Sequence, residues 1–240
     1  MKDSVNRKVF SYSLLDSTQD EAKRLVSKGE QLPFFVIARK QTKGRGRLGR
    51  RWVSDEGGVW LTYALKPTEN VNLLISNYAA AIVVKRMIEE YGVICSLRWP
   101  NDVFVENAKI CGIISEAEYF GNELSFLAIG IGLNVENDVS MIEAPYPVTS
   151  MKNELKRDVD SKEIAERLIR HIEDYFSHVN KNEVIREYLN ALDTIGKKIR
   201  VKVDDSCIEG IAKGLDDEGL LIIDEGRNEV RLADGELQAA

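Results

Sequence analysis

Two histidines and three cysteines are all this sequence offers of the residues most used to hold metals or staple a chain. Cys95, Cys111 and Cys207 stand far apart, with no Cys-x-x-Cys spacing and no secretory segment before them. Neither a disulfide framework nor a zinc knuckle is encoded, and a reducing cytoplasm is the expected compartment. His171 and His178 share a helix face, but two imidazoles without a clear third ligand read as surface or packing residues rather than zinc ligands. No run approaches the roughly 18 apolar residues that cross a bilayer, and the stretch Met1 to Phe10 is polar and charged, so a soluble protein without membrane contact is expected. An excess of positive charge is also missing: the net charge is −6, which argues against a surface built throughout to neutralise nucleic-acid phosphates. Low-complexity tracts and repeats of 20 to 50 residues are absent too, which excludes a disordered chain, a solenoid or a propeller.

What is present suits a packed globular chain. The 240 residues are 44% hydrophobic and 30% charged, enough for one sizeable core with a small appended domain. Asp16 to Glu21 reads as a helix start, because Thr18 and Glu21 stand at capping-box spacing ahead of Leu25 and Val26, and Gly29 is the expected stop. Phe34 to Ala38 and Val59 to Leu65 are β-rich runs, and the five glycines between them, Gly44, Gly46, Gly49, Gly57 and Gly58, mark a loop. Leu74 to Tyr91 keeps a helical apolar period that Gly92 closes. Ser96 to Trp99, Val103 to Val105, Ile110 to Glu116 and Phe126 to Ile131 are short strand-like segments, with a hairpin connection at Glu106-Asn107-Ala108. Ser161 to Phe176 and Glu183 to Leu192 return to helix. After Gly196 the pattern becomes short strands, Ile199 to Val203, Ile208 to Lys213, Leu220 to Ile223 and Glu229 to Leu232, parted by Asp/Gly turns. A tail of about 45 residues is too small for a layered domain unless its sheet closes on itself, so a small β-barrel is expected there. The class is α+β, divided into residues 1–194 and 195–240.

The chemistry concentrates in a few short segments. Lys40 to Arg51 holds six Lys or Arg among twelve residues, a local positive field that the net charge does not cancel. Gly44, Gly46 and Gly49 free the backbone there for positive φ and close approach to a ligand. Arg45, Arg47 and Arg50 supply planar donor forks for phosphate or carboxylate oxygens. A Walker A loop is not matched, and strand signals rather than a helix follow these glycines, so a dinucleotide fingerprint is rejected as well. Composition alone leaves three readings open: an anion site, a solvated loop whose ordering costs entropy without a ligand, and an Arg/Gly nucleic-acid segment.

In Arg98-Trp-Pro-Asn-Asp102, Asn101 and Asp102 begin a hairpin. Asp102 is either a Mg²⁺ ligand, since magnesium takes one or two carboxylates plus substrate phosphates, or an Asx turn that shapes the hairpin. By itself Lys109, ahead of the apolar run from Ile110, reads as an exposed strand-end charge. Gly130-Ile-Gly-Leu-Asn134 ends a strand with two glycines and an amide, which suits either a nucleotide lying on backbone or tight packing.

Taken together, Ser17-Thr18-Gln19, Gln41-Thr-Lys-Gly-Arg-Gly-Arg-Leu-Gly-Arg50, Arg98-Trp-Pro-Asn-Asp102, Lys109-Ile-Cys-Gly112 and Gly130-Ile-Gly-Leu-Asn134 stand in the order and spacing of biotin protein ligases. The sequence resembles that family over nearly its whole length. The resemblance implies a central domain like the catalytic domain of class II aminoacyl-tRNA synthetases, followed by a C-terminal SH3-like barrel. It implies activation of biotin by ATP to biotinyl-5'-AMP, and transfer to a lysine of a biotin carboxyl carrier protein domain, as in acetyl-CoA carboxylase. Arg47 and Lys109 occupy the positions that contact the activated intermediate and the reacting carboxylate and α-phosphate. Ser17, Thr18, Gln19, Gln41, Gly44, Arg45, Gly46 and Gly112 match biotin-side positions. Arg45, Arg50, Trp52, Asn101, Asp102 and Asn134 match the nucleotide side, with Asp102 the expected Mg²⁺ ligand and a candidate base for the transfer step. Two departures are Arg98, where lysine is frequent, and Gln19, where asparagine is common.

Sixteen residues precede Ser17, too few for the DNA-binding domain that some members carry, so no operator binding is expected. Exposed strand edges leave a homodimer open. A lipoate protein ligase shares the chemistry but is disfavoured by the Gly-Arg-Gly-Arg loop. A single-stranded nucleic-acid module is disfavoured by net acidity and by the lack of aromatics within 40–51.

Overall fold

The computed structural model describes residues 8–120 and 123–238; positions 1–7 of the polar N-terminal stretch and the last two residues lie outside the described residues. The first sheet contains β1 (Val9–Leu15), β2 (Phe34–Gln41), β3 (Val59–Leu65), β4 (Ser96–Arg98), β5 (Asp102–Val105), β6 (Ala108–Phe120) and β7 (Glu123–Leu133). Their spatial order is β1-β2-β3-β7-β6-β5-β4. Among the described residues, β1–β2 is the one parallel pairing between strands of this sheet. The helices are α1 (Thr18–Ser27), α2 (Leu73–Glu89), α3 (Met151–Leu155), α4 (Ser161–Ser177) and α5 (Lys181–Ala191).

β3 is buried at every position, because the sheet is covered on both faces. Val59, Leu61, Tyr63 and Leu65 join the large core beneath α2, α4 and α5. On the opposite face Ala64 meets Phe34, Val36, Phe126 and Ala128 under Ala22 of α1. α2 starts where Asn72 Oδ1 accepts the Ile75 amide at 2.9 Å. Eleven of its 17 residues are buried, since it is wedged between the sheet and two other helices and has little face left for water.

The second sheet contains β8 (Lys198–Val203), β9 (Ser206–Leu215), β10 (Leu221–Asp224), β11 (Glu229–Leu232) and β12 (Glu236–Gln238). It is antiparallel, in the order β11-β10-β9-β8-β12. Its buried Val201, Ala212, Leu221 and Ile223 are continuous with the core around α2. A polar contact fixes the seam: Tyr78 of α2 donates its hydroxyl to Gly219 O at 2.9 Å and receives Trp99 Nε1 at 3.1 Å. Burial raises the pKa of that hydroxyl above its ordinary value, so it stays a neutral donor. The Tyr78 ring stacks on Tyr188 at 3.8 Å between centroids, a contact of the kind worth about 0.5–1.5 kcal/mol beyond area burial.

Several sequence expectations shift by a few residues. The cap of α1 is Ser17, whose Oγ accepts from the Gln19 amide at 3.2 Å, and not Thr18. The Thr18 hydroxyl is instead used across the sheet, donating to Gln41 Oε1 at 3.1 Å and accepting from Thr62 Oγ1 at 2.8 Å. β6 and β7 run beyond the apolar stretches because their outer ends are a two-stranded ribbon with polar residues such as Glu118. β1, α3 and β12 had no sequence expectation.

Candidate functional site

β6 and β7 place glycines opposite one another on the face away from α2: Gly112 pairs with Gly132, and Ile114 with Gly130. Missing side chains there leave a trough. A Cβ on residue 132 would lie 2.4 Å from Trp52 Nε1, one on residue 112 would lie 2.9 Å from the same ring, and one on residue 130 would meet Gln19 Nε2 at 2.9 Å. The trough, the N-terminus of α1, the 44–52 loop and the 142–148 segment enclose a cavity of about 420 Å³.

Ser17 and Thr18 reach it from the α1 cap, and Gln41 from the end of β2. Gln41 ties the group together: its Oε1 accepts the Thr18 amide at 2.7 Å while its Nε2 donates to Ser54 Oγ at 2.9 Å. Gln19 Nε2 donates to Ile114 O at 2.9 Å, but its Oε1 is buried without a partner, as is Trp52 Nε1. A buried orphan polar atom costs about 1–3 kcal/mol, so these two cavity-lining groups are suited to a ligand that supplies the missing bonds.

Lys109, near the start of β6, is the cation at the other end. Its backbone is clamped by the loop that follows β7, through Lys109 N to Pro147 O at 2.8 Å and Thr149 N to Lys109 O at 3.0 Å. Its Nζ lies 2.6 Å from Asp102 Oδ1 and 3.4 Å from the Tyr146 hydroxyl, and 5.2 Å from the Trp52 ring centre. The two charged side chains are only 12% and 16% exposed. Burial pulls the Lys109 pKa down, but the Asp102 charge and the bonds to Asp102 and Tyr146 outweigh it, so the net shift is upward and the ammonium persists at neutral pH. The sequence pattern alone made Lys109 an exposed strand-end charge; the 147–149 clamp is what buries it.

The basic loop brings Arg45, Arg47, Arg50 and Arg51 to the cavity, the first three by different routes. Arg45 reaches back to Glu116 Oε2 at 2.8 Å and Asp20 Oδ1 at 3.1 Å. Arg47 Nη1 donates to Asn101 Oδ1 at 2.9 Å, and its Nη2 donates to Gly235 O at 2.8 Å and pairs with Asp234. Arg50 pairs with Glu236. The glycines here do different work. Gly49 takes φ +71°, whereas Gly44 is needed because a Cβ would lie 2.4 Å from both Ser54 Oγ and Trp52 O. Gly44 does not itself line the cavity; Gly46, Arg50, Asn101, Asp102, Gly112 and Asn134 do. The Asn134 side chain is committed to the following loop, donating to Thr149 O and accepting from Asn137 Nδ2, both at 3.1 Å.

Arg98 points elsewhere, onto the Phe104 ring at 3.7 Å and to Asp193 Oδ2 at 2.9 Å. Tyr146, Asp20, Glu116, Asp234 and Glu236 were not anticipated. The first lies in an irregular segment without a motif, and the acids meet their arginines only through the fold. Among the described residues no group of three or more His, Cys, Asp or Glu side chains is placed to hold a metal.

The anion-gathering cavity is carried by a mixed sheet backed by helices, and an antiparallel sheet domain follows. Residues 11–134 match the biotin/lipoate A/B protein ligase family, and residues 194–237 match the biotin protein ligase C-terminal domain. The chain is 31% identical over 243 residues to the bifunctional ligase/repressor BirA of Bacillus subtilis, covering 94% of this chain and 73% of that protein. It is 28% identical over 220 residues to the biotin–[acetyl-CoA-carboxylase] ligase of Paracoccus denitrificans, covering 87% and 90%. The structure of the Aquifex aeolicus biotin protein ligase in complex with biotin and ATP superposes with a TM-score of 0.83 at 28% identity, over 96% of this chain and 97% of that one. The chain belongs to the biotin/lipoate A/B protein ligase family.

Proposed function

We infer that the protein is a biotin protein ligase, which converts biotin and ATP to biotinyl-5'-AMP and passes the biotinyl group to a lysine of a biotin carboxyl carrier protein domain. The observation that carries this reading is the convergence of Lys109 and Arg47, 62 positions apart in sequence, on one cavity that also holds the uncharged Ser17, Thr18 and Gln41. Relatives and similar structures carry the same activity in their names, and the match to a biotin protein ligase C-terminal domain favours biotin over lipoate.

A carboxylate and a triphosphate repel each other, so the site must supply positive charge before chemistry begins. Lys109 receives the biotin carboxylate and the α-phosphate together, and Arg47 holds the charge that develops as the carboxylate oxygen attacks the α-phosphorus and pyrophosphate leaves. Each such preorganised contact is worth about 3 kcal/mol or more of the barrier. Arg45 and Arg50 add positive field. The ureido ring of biotin takes the cavity beside Trp52, whose own ring rests on Gly112 and Gly132, with Ser17, Thr18, Gln19 and Gln41 as its polar partners and Gly44 and Gly46 shaping the loop above it. Asn101 and Asn134 shape the nucleotide end. The mixed anhydride is kept from water by the same loop until a carrier lysine, as its neutral amine, attacks the carbonyl and AMP leaves.

Asp102 is the residue that would hold Mg²⁺. It presents a single carboxylate in the cavity wall, which fits an ion held otherwise by phosphates and water; bound there, magnesium would neutralise the leaving pyrophosphate. We divide the chain at 194/195 into catalytic and C-terminal domains. The free cysteines, together with the absence among the described residues of a helix long and apolar enough to cross a membrane, accord with a cytoplasmic site of action. A homodimer through the exposed β1 edge is in keeping with the sheet order. The function is tested by incubating the protein with ATP, biotin and a carrier domain. Intact mass should rise by one biotinyl group, and not when the acceptor lysine is arginine; an unmodified carrier would refute the transfer step.

A further inference from the structure

We propose that Asp234 and Glu236, two carboxylates of the second sheet, are resident counter-anions for Arg47 and Arg50, and that they compete with the triphosphate of ATP and so set its affinity. The inference rests on the ligase reading for the identity of the competitor.

Arg47 divides its donors between two parts of the chain: Nη1 goes to Asn101 in the β4–β5 turn of the catalytic domain, and Nη2 to Asp234 and the carbonyl of Gly235. Arg50, three residues on, is paired with Glu236. These acids stand at a set place. A Cβ on residue 235 would lie 2.4 Å from Val201 Cγ1, so only glycine lets the turn lie flat on β8, and Glu236 is held in register opposite Lys202.

The other arm of the loop is anchored differently, because the acids that hold Arg45, Glu116 and Asp20, belong to β6 and α1. One arm of the loop is therefore fixed to the catalytic sheet and the other is latched to the C-terminal one. Asp234 is 65% exposed, and an ion pair with an exposed carboxylate is weak. A triphosphate presents several charges where a carboxylate presents one, so ATP can take both guanidiniums from these acids. The cost of parting each pair is subtracted from the affinity for ATP.

The test uses the full-length chain carrying Asp234→Asn with Glu236→Gln. Asp205→Asn, an exposed acid in the β8–β9 turn, is the control for altered net charge. Calorimetry with ATP, with and without saturating biotin, should give a Kd for ATP lowered about three- to tenfold in the double variant, with the Kd for biotin held and the control like wild type. Unchanged or weaker ATP binding in the folded double variant would overturn the proposal. Limited trypsin digestion without ligands reads the latch alone: cleavage within 43–51 should be faster in the double variant, and an equal rate would count against the latch. Wild type that binds neither ATP nor biotin would instead sink the ligase reading, while the digestion still decides the latch.

Discussion

Replacing Lys109 with alanine probes stability and chemistry at once. The substitution strands Asp102, 16% exposed and 2.6 Å from the lost ammonium, as an uncompensated carboxylate. Removing one partner of a fully buried pair costs about 3–5 kcal/mol, and the residual exposure of both groups reduces this to about 2 kcal/mol here. For the reaction, loss of a preorganised cation should lower the rate of adenylate formation at least a hundredfold, about 3 kcal/mol. Pairing the substitution with Asp102→Asn, and comparing the pair with Asp102→Asn alone as the reference for loss of the Mg²⁺-side carboxylate, separates the two effects. Stability should return toward wild type in urea unfolding, because the stranded charge is gone, but single-turnover adenylate formation should not. Recovery of adenylate formation in the double variant would refute the reasoning, since Lys109 would then serve only to neutralise Asp102. The pH dependence has a fixed sign. The Lys109 pKa is raised in the folded state, so its stabilisation is fully present below the unfolded value of about 10.4 and is lost as pH rises through the folded value. The stability gap between wild type and Lys109→Ala should narrow at alkaline pH and not between pH 6 and 9.

Other expectations follow from single contacts. Gly132→Ala places a Cβ 2.4 Å from Trp52 Nε1; displacing that ring should weaken biotin binding roughly tenfold, read by tryptophan fluorescence titration, and unaltered affinity would remove Trp52 from the pocket wall. Arg47→Gly should release the adenylate faster in a filter-trapping assay, and a wild-type dissociation rate would contradict its role. Asp16 accepts from the Ser17 amide at 2.8 Å and pairs with Arg24 at 2.6 Å. The bonds from Arg24 hold its carboxyl down to about 2, against a burial effect in the other direction. Its stabilisation is therefore present above about pH 3.9 and is lost as pH falls through about 2. Because the carboxylate is 37% exposed, Asp16→Asn should cost only about 1 kcal/mol at pH 7 and clearly less near pH 2, where the carboxylate is half protonated, in thermal unfolding; an equal loss at both pH values would contradict the ion-pair account.

The contiguous motifs led to the cavity because each sits where an element ends: Ser17-Thr18 at a helix cap, Gln41 at the end of β2, Asn101-Asp102 at a strand start. Side-chain chemistry at such points is set locally. The use of the Thr18 hydroxyl was hidden, since its partners Gln41 and Thr62 lie in other strands. Strand β1 was legible only in part: Phe10-Ser11-Tyr12-Ser13 alternates with burial, but the run is short and is broken at this sheet edge by the exposed Leu14. Tyr146 sits beside Lys109 only because the 147–149 backbone pairs with it. Asp234 is 187 positions from Arg47; nothing in either segment announces the other, and only the docking of the second sheet through Tyr78 brings them together.

The central claim is that this cavity draws the biotin carboxylate and ATP into reaction. Biotin-dependent exchange of labelled pyrophosphate into ATP measures that step without a carrier. The account predicts exchange with biotin and none with lipoate. Equal exchange with both acids, or none with either, would contradict it.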